Sequence, residues 1–99
     1  MTDHARALTI PSSAWDDPSA AEILRAWIVD GGLHVNLWRA FPESRTWGLL
    51  LVDIARHVAR MYAQDTGISE QQALDDIRNM FDAEWDRPTD LGTTTAANN

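Results

Sequence analysis

The ionisable residues best placed to do chemistry together are Asp53 and His57. They lie four positions apart in a long apolar run, so both side chains fall on one face of a helix. A carboxylate beside an imidazole can orient and charge the ring for acid–base work. The same spacing also produces ordinary surface ion pairs, worth about 0.3–0.5 kcal/mol. The structural interpretation is favoured, because the neighbouring sequence offers neither a nucleophile nor a glycine-rich loop.

Two arginines, Arg56 and Arg60, flank His57 and form a local basic cluster with helical spacing. Guanidinium groups at this spacing can hold an anionic ligand or the acidic helix of a partner. Alternatively, they pair with Asp53 or with the acidic last helix of the same chain. Internal pairing is favoured, and both arginines remain candidates for ligand or partner binding.

A metal site would draw on His34, His57 and Asp53, together with Glu84. Two histidines on separate elements are weak evidence beside a His-Glu-x-x-His helix. The chain contains no cysteine, which excludes thiolate ligands, disulfides and thiol catalysis. We therefore expect no metal, no cofactor and no catalytic residue.

A helix over 46–64 must position most of these side chains. At roughly 100° per residue, its apolar side chains fall into two adjacent rows. The large row is Trp47, Leu50, Leu51, Ile54, Val58 and Met61, and the small row is Gly48, Val52, Ala55, Ala59 and Ala63. Together they cover more than half of the circumference, whereas a surface helix needs a stripe only about 100° wide. The helix is therefore expected to have two neighbours, one against each row.

A second helix is predicted from about 70 to 86. Gly67 ends the first helix, and Ser69 with Gln72 three residues later forms a capping box for the second. Pro88 stops it. Its apolar face is Ala73, Leu74, Ile77, Met80, Phe81 and Trp85, and its other face is acidic.

The sequence over 23–38 predicts a β-hairpin. Residues 23–29 fit a strand or a helix ended by Gly31, but Asp30-Gly31-Gly32 is hairpin-turn chemistry. Residues 33–38 then alternate, which favours the hairpin. The inward side chains are Leu33, Val35 and Leu37, and the outward ones are His34, Asn36 and Trp38.

The outward face of the hairpin carries more large groups than a solvated face needs. Trp27 and Val29 share it with His34 and Trp38, so we expect it to be covered. The N-terminal segment and a second subunit are equally good candidates. His34 and Trp38 are therefore candidate partner-binding residues.

The remaining segments are predicted from local signals. Residues 1–7 are polar and expected to be flexible, and 8–10 can form a short strand before Pro11. Asp17-Pro18 is typical of a helix start, predicting a short helical turn over 18–21 or 18–22. Residues 89–99 are small and polar, which indicates a disordered tail after a single domain over 1–88.

Composition narrows the classes of partner. The chain has 99 residues, 44% of them hydrophobic, and a formal net charge of −7, with arginine supplying every basic group. An acidic surface disfavours nucleic acid and anionic membranes, which both need a positive face. The sequence shows neither a secretory signal nor an apolar run long enough for a membrane span. We therefore expect a cytoplasmic protein.

Two segments carry a family resemblance. Residues 25–37, RAWIVDGGLHVNL, and 47–59, WGLLLVDIARHVA, resemble a family of short, mostly alphaproteobacterial proteins known as domain of unknown function 5076. The likeness extends over about 8–89, and its Trp-Gly and Asp-x-x-Arg-His segments are the most specific. The resemblance implies an α+β fold and brings no activity with it. The 39–45 loop here is shorter than in some relatives.

These patterns predict an α+β fold in which a short antiparallel hairpin sheet packs on two helices. The leading hypothesis for function is a small acidic, non-enzymatic protein-interaction module that binds itself as a homodimer or binds another protein. It would work through the outward face of the hairpin or through the helix face that carries Arg56, His57 and Arg60, which we call the arginine–histidine face. The alternative is a small-ligand-binding protein or enzyme that uses Asp53, Arg56 and His57, with His34 across the site.

Overall fold

The computed structural model describes residues 4–97, and its elements follow one another as three helices and one three-stranded sheet. In chain order they are α1 (Ser12–Trp15), β1 (Leu24–Val29), β2 (Gly32–Trp38), α2 (Arg45–Thr66), α3 (Glu70–Trp85) and β3 (Thr93–Ala97). The sheet has the order β1-β2-β3, with β1 antiparallel and β3 parallel to β2. The predicted α+β class is confirmed.

The hairpin resolves the strand-or-helix ambiguity over 23–29 in favour of the strand. Val29 pairs with Gly32 across a two-residue loop. Both loop residues have positive φ, 52° at Asp30 and 79° at Gly31. This backbone matches the twist of the flanking strands, and Asp-Gly is among the pairs that adopt it most readily.

One face of the hairpin is wholly aliphatic. The register places Leu24 opposite Leu37, Ala26 opposite Val35 and Ile28 opposite Leu33. Side chains alternate along a strand, so these six side chains lie on the same side of the sheet. We call this set the aliphatic face. Trp27 and His34 are paired on the opposite side.

The third strand corrects the prediction of a disordered tail over 89–99. Residues 93–97 pair in parallel with β2, from Thr93 beside His34 to Ala97 beside Trp38. The Asp90 carboxylate holds the start of β3 against the start of β2. It accepts hydrogen bonds from the backbone N–H groups of Leu33, at 3.1 Å, and Gly92, at 2.9 Å. The composition of the tail does not predict this strand, because the hydrogen bonds that order it come from the edge of a strand that is distant in sequence. Residues 98–99 lie outside the described part.

The N-terminal segment also differs from the prediction. Residues 8–10 form no strand, and Leu8 is 93% exposed. The edge of β2 that such a strand could have used is occupied by β3, and α1 follows directly after Pro11. Of the segment predicted to be flexible, residues 1–3 lie outside the described part.

The predicted helix start at Asp17 is a turn instead. The Asp17 carboxylate accepts hydrogen bonds from the Ser19 backbone N–H at 2.9 Å and from the Ser19 hydroxyl at 2.7 Å. These bonds lower the pKa of Asp17 below its usual range. Aspartate readily bonds the backbone two residues on, and here that local turn prevails over the helix-start signal.

The caps of the two long helices follow the prediction closely. Gly67 ends α2 with φ 83°, a left-handed conformation that glycine adopts without steric cost. Ser69 caps α3, its hydroxyl accepting a hydrogen bond from the Gln72 backbone N–H at 3.0 Å. At the start of α2, Ser44 is the N-cap but its side chain makes no capping bond.

The helices pack on each other through small residues. In residues 4–97 only Ala59, on the small row of α2, and Ala73, on α3, are fully buried. At Ala59 the small row therefore has the close neighbour that the sequence predicts, whereas nearer the start of α2 Gly48 and Val52 of the same row are exposed. The large row has no strand packed on it: among the described elements, no strand has a Cα atom within 8 Å of a Cα atom of a helix. The predicted packing of sheet on helices is not made within one chain.

Consequently the chain exposes far more surface than a compact monomer of its mass. Its accessible surface is 8755 Å², and its mass is 11.1 kDa. A compact monomer of that mass exposes about 5,700 Å². The radius of gyration is 15.4 Å, against about 13 Å for a compact domain of this length.

Candidate functional site

The loop between β2 and α2 attaches the end of the sheet to the first turn of α2. The Trp47 indole N–H donates to the Arg39 carbonyl oxygen at 2.9 Å, and the Phe41 ring packs edge-on against Trp47 at 5.9 Å between centroids. Ala40 has φ 62°, an unfavourable conformation for a residue with a Cβ. The first turn of α2 is thereby fixed to the end of the sheet.

Among the described residues, this arrangement leaves the large row and the aliphatic face uncovered. On the large row of α2, Leu51, Ile54 and Met61 are exposed, and the other three residues are half-buried. On the aliphatic face of the sheet, Ile28 is 71% exposed and Leu33 is also exposed. Surfaces of this kind on a folded chain mark interaction sites.

A groove of about 760 Å³ runs between α2 and α3. Its α2 wall includes residues of both rows, and its α3 wall includes Phe81 and Trp85; these α2 residues are Trp47 and Leu51 of the large row with Gly48, Val52 and Ala55 of the small row. The absence of a side chain at Gly48 leaves space in this groove, since a Cβ there would meet no atom within 4 Å. Most of the lining is apolar, with a few charged residues that include Arg56.

A second concavity, of about 200 Å³, lies on the sheet face opposite the aliphatic face. Trp27 and His34 line it together with Thr93 and Thr95 of β3. The His4 ring packs edge-on against Trp27 at 4.8 Å between ring centroids. The N-terminal segment therefore covers part of the outward face of the hairpin. It was one of the two predicted covers of that face, the other being a second subunit.

The structure does not join Asp53 to His57. In residues 4–97 no hydrogen bond or ion pair links their side chains, and both are exposed. The His57 Nδ1 atom lies 3.4 Å from Arg60 Nη1 instead. Arg60 Nε in turn lies 3.9 Å from a carboxylate oxygen of Glu70 on α3, as the internal-pairing interpretation expects.

The predicted site residues are distributed over separate surfaces. Arg56 lines the helical groove, His34 lines the concavity on the sheet, and Trp38 ends β2 with its backbone N–H bonded to the Ile23 carbonyl oxygen. Because no strand approaches α2, His34 does not face the α2 candidates across one site.

Sequence reasoning missed the structural roles of Asp90 and Trp47. Each acts through a hydrogen bond to backbone at a distance along the chain, which no local pattern indicates. Within the described range 4–97, no three metal-ligating side chains cluster together, and none of the helices is long and apolar enough to cross a bilayer.

Comparisons with known proteins place this geometry in context. The family model of domain of unknown function 5076 matches residues 7–89. No protein of curated function matches the chain. A solved structure from the photosynthetic bacterium Rhodopseudomonas palustrus CGA009, described provisionally as a pyruvate dehydrogenase, is 45% identical. The match covers 99% of this chain and 100% of that one, with a TM-score of 0.73.

Proposed function

We propose that this chain, which belongs to the family of domain of unknown function 5076, is a non-enzymatic interaction module that works as a homodimer. The observation that carries the proposal is the surface left open by the fold. It exceeds that of a compact monomer by about 3,000 Å². An obligate dimer interface removes about 1,000–2,500 Å² from each partner, so the excess is ample for one.

The character of the open surface supports an obligate interface. The large row and the aliphatic face together contain twelve positions without a charged side chain. Obligate interfaces resemble a protein core cut in half, with charged residues depleted at the centre. A chain whose only fully buried described residues are two alanines lacks such a core of its own.

Light scattering coupled to size-exclusion chromatography tests the proposal. The wild-type chain is expected to elute with twice the monomer mass over the accessible range of concentration. Ile54→Glu, which places a charge at the centre of the large row, is expected to shift the mass to that of a monomer. Glutamate is a good helix former, so α2 should be retained, as circular dichroism would verify.

Leu49→Glu is the matched control. Leu49 lies on the same helix, is 67% exposed and belongs to neither row, so the same kind of substitution there should leave the dimer intact. A wild-type chain that stays monomeric at every concentration would overturn the proposal. Dissociation by both variants alike would show that the effect is not specific to the large row.

A small-ligand site is the second candidate, and the groove between α2 and α3 favours it. Ligand sites typically enclose about 300–1,000 Å³ with apolar walls and a few polar groups. The groove falls in this range and has Arg56 in its lining, a group suited to a carboxylate. The related structure is described as an enzyme of pyruvate, which is a small carboxylate.

Titration with pyruvate distinguishes this candidate from the interaction module. Trp47 and Trp85 both line the groove, so a ligand there should change the tryptophan fluorescence. A saturable change that Arg56→Gln abolishes would favour the ligand site. An unchanged spectrum at millimolar pyruvate, with the dimer present, would favour the interaction module.

A further inference from the structure

We infer that the dimer is reciprocal: the aliphatic face of each copy packs on the large row of the other copy's α2. This inference rests on the proposed function and specifies its interface. A sheet and a helix each bury an apolar face against another element in any stable domain. Here both faces exist in one chain, and they do not meet within it.

The connecting loop is the first reason to place the contact between chains. The Trp47 indole bond to Arg39 and the edge-on Phe41 ring hold the sheet at the N-terminal end of α2. The positive φ of Ala40 sets the direction in which the chain leaves the sheet. On the far side of this loop no strand has a Cα atom within 8 Å of a Cα atom of α2, so the aliphatic face does not reach the large row of its own chain.

The two faces also match in size and chemistry. From Trp47 to Met61 the large row extends about 21 Å at 1.5 Å per residue. The paired strands β1 and β2 have six and seven residues, which gives a sheet about 20 Å long. Neither face carries a charge that would have to be desolvated.

Twofold symmetry allows one kind of contact to cover every open apolar face in the dimer. In a closed dimer with one twofold axis, a contact from sheet to helix occurs twice, once in each direction. A single kind of contact therefore covers both open faces of both copies. Contacts of sheet with sheet or helix with helix would each cover only one kind of face.

Disulfide trapping tests the arrangement, because the chain has no cysteine of its own. One set of variants carries a single cysteine on the aliphatic face, at Leu33, Val35 or Leu37. The second set carries one on the large row, at Leu50, Ile54 or Val58. Each sheet variant is unfolded and refolded with each helix variant, one of them tagged for mass, and then oxidised. Asn36→Cys and Leu49→Cys, which point away from the two faces, are the controls.

The expected product is a disulfide-linked heterodimer of one sheet variant with one helix variant, formed in preference to either homodimer and lost with the control cysteines. Dominant linkage of helix variants to each other, or of sheet variants to each other, would overturn the reciprocal contact while leaving self-association intact. A chain carrying both cysteines that forms its bond internally, as a monomer by light scattering, would overturn the reciprocal contact and the homodimer together.

Discussion

At the residue scale, Asp17 shows how a short polar contact can replace a predicted element. Both hydrogen bonds from Ser19 favour the ionised carboxylate, so its pKa lies below the usual value. A carboxyl group with a lowered pKa in the folded state stabilises the fold above its unfolded pKa, which is about 3.9. That contribution is lost as the pH falls through the folded pKa.

Ser19→Ala is expected to raise the pKa of Asp17 towards its ordinary value, because it removes the hydroxyl donor, which is the largest cause of the shift. Carboxyl NMR titration of Asp17 measures this directly. Ser13→Ala, in α1, is the control and should leave the titration unchanged. An equal pKa in the wild-type and Ser19→Ala chains would show that the hydroxyl bond does not form in solution.

Asp53 and His57 illustrate the limit of spacing rules at this scale. Their separation correctly places both on one exposed face of α2, yet spacing cannot decide which rotamers are adopted. Arg60 lies close enough to both His57 and Glu70 to contact each of them. Since Glu70 belongs to α3, this contact depends on how the two helices pack. The sequence of α2 alone does not determine that packing.

At the element scale, three local signals in the sequence predicted the structure correctly. The Asp30-Gly31 turn, the Gly67 end of α2 and the Ser69 cap all follow from backbone conformation or a nearby hydrogen bond. The strand β3 could not be predicted in this way. Its order depends on the edge of β2 and on Asp90, far from it in sequence.

Gly92→Ala is expected to detach β3 from the sheet. Gly92 has φ 64°, and a Cβ there would overlap the Leu33 carbonyl oxygen. Strained backbone of this kind costs about 1–3 kcal/mol. Faster amide hydrogen exchange over 93–97, together with lower resistance to urea, is the expected result.

Gly48→Ala serves as the comparison for that substitution. It lies in α2 with no atom within 4 Å of the added Cβ, so it should leave β3 unaffected and stabilise the helix by up to about 1 kcal/mol. If exchange over 93–97 were equally slow in the wild-type and Gly92→Ala chains, Gly92 would not be needed for the strand.

At the scale of the whole molecule, the sequence correctly predicts the hairpin, the helix pair and the apolar faces. It does not reveal that the sheet and helices are separated. The width of the apolar stripe predicts that the large row has a neighbour. It does not indicate whether that neighbour belongs to the same chain or to another one. The bond from Trp47 to Arg39 joins a side chain to a distant backbone carbonyl, so it is visible only in the folded chain.

Net charge provides a test at this scale. Each copy carries a formal charge of −7, so in the proposed dimer the two copies would repel each other while the apolar interface would hold them together. Salt screens that repulsion, with a Debye length of about 8 Å at physiological ionic strength. Raising the salt concentration from low to physiological values is therefore expected to lower the Kd of the dimer.

Sedimentation equilibrium at several salt concentrations measures this dependence. The opposite sign would follow if Arg56 and Arg60 held the acidic α3 of the second copy, because salt weakens such ion pairs. A Kd that rises with salt would therefore contradict an apolar interface and favour the arginine–histidine face. Ile54→Glu should remain monomeric throughout.

The loop at 39–44 has a consequence for how this family can diversify. The backbone around Ala40 would decide whether the sheet reaches its own α2 or that of another copy. In that case the loop, and not the contacting surfaces, determines the number of subunits. Lengthening that connection would let the same two faces close within one chain, a change known from domain swapping. Relatives with identical apolar faces could then differ in the number of subunits through an insertion alone.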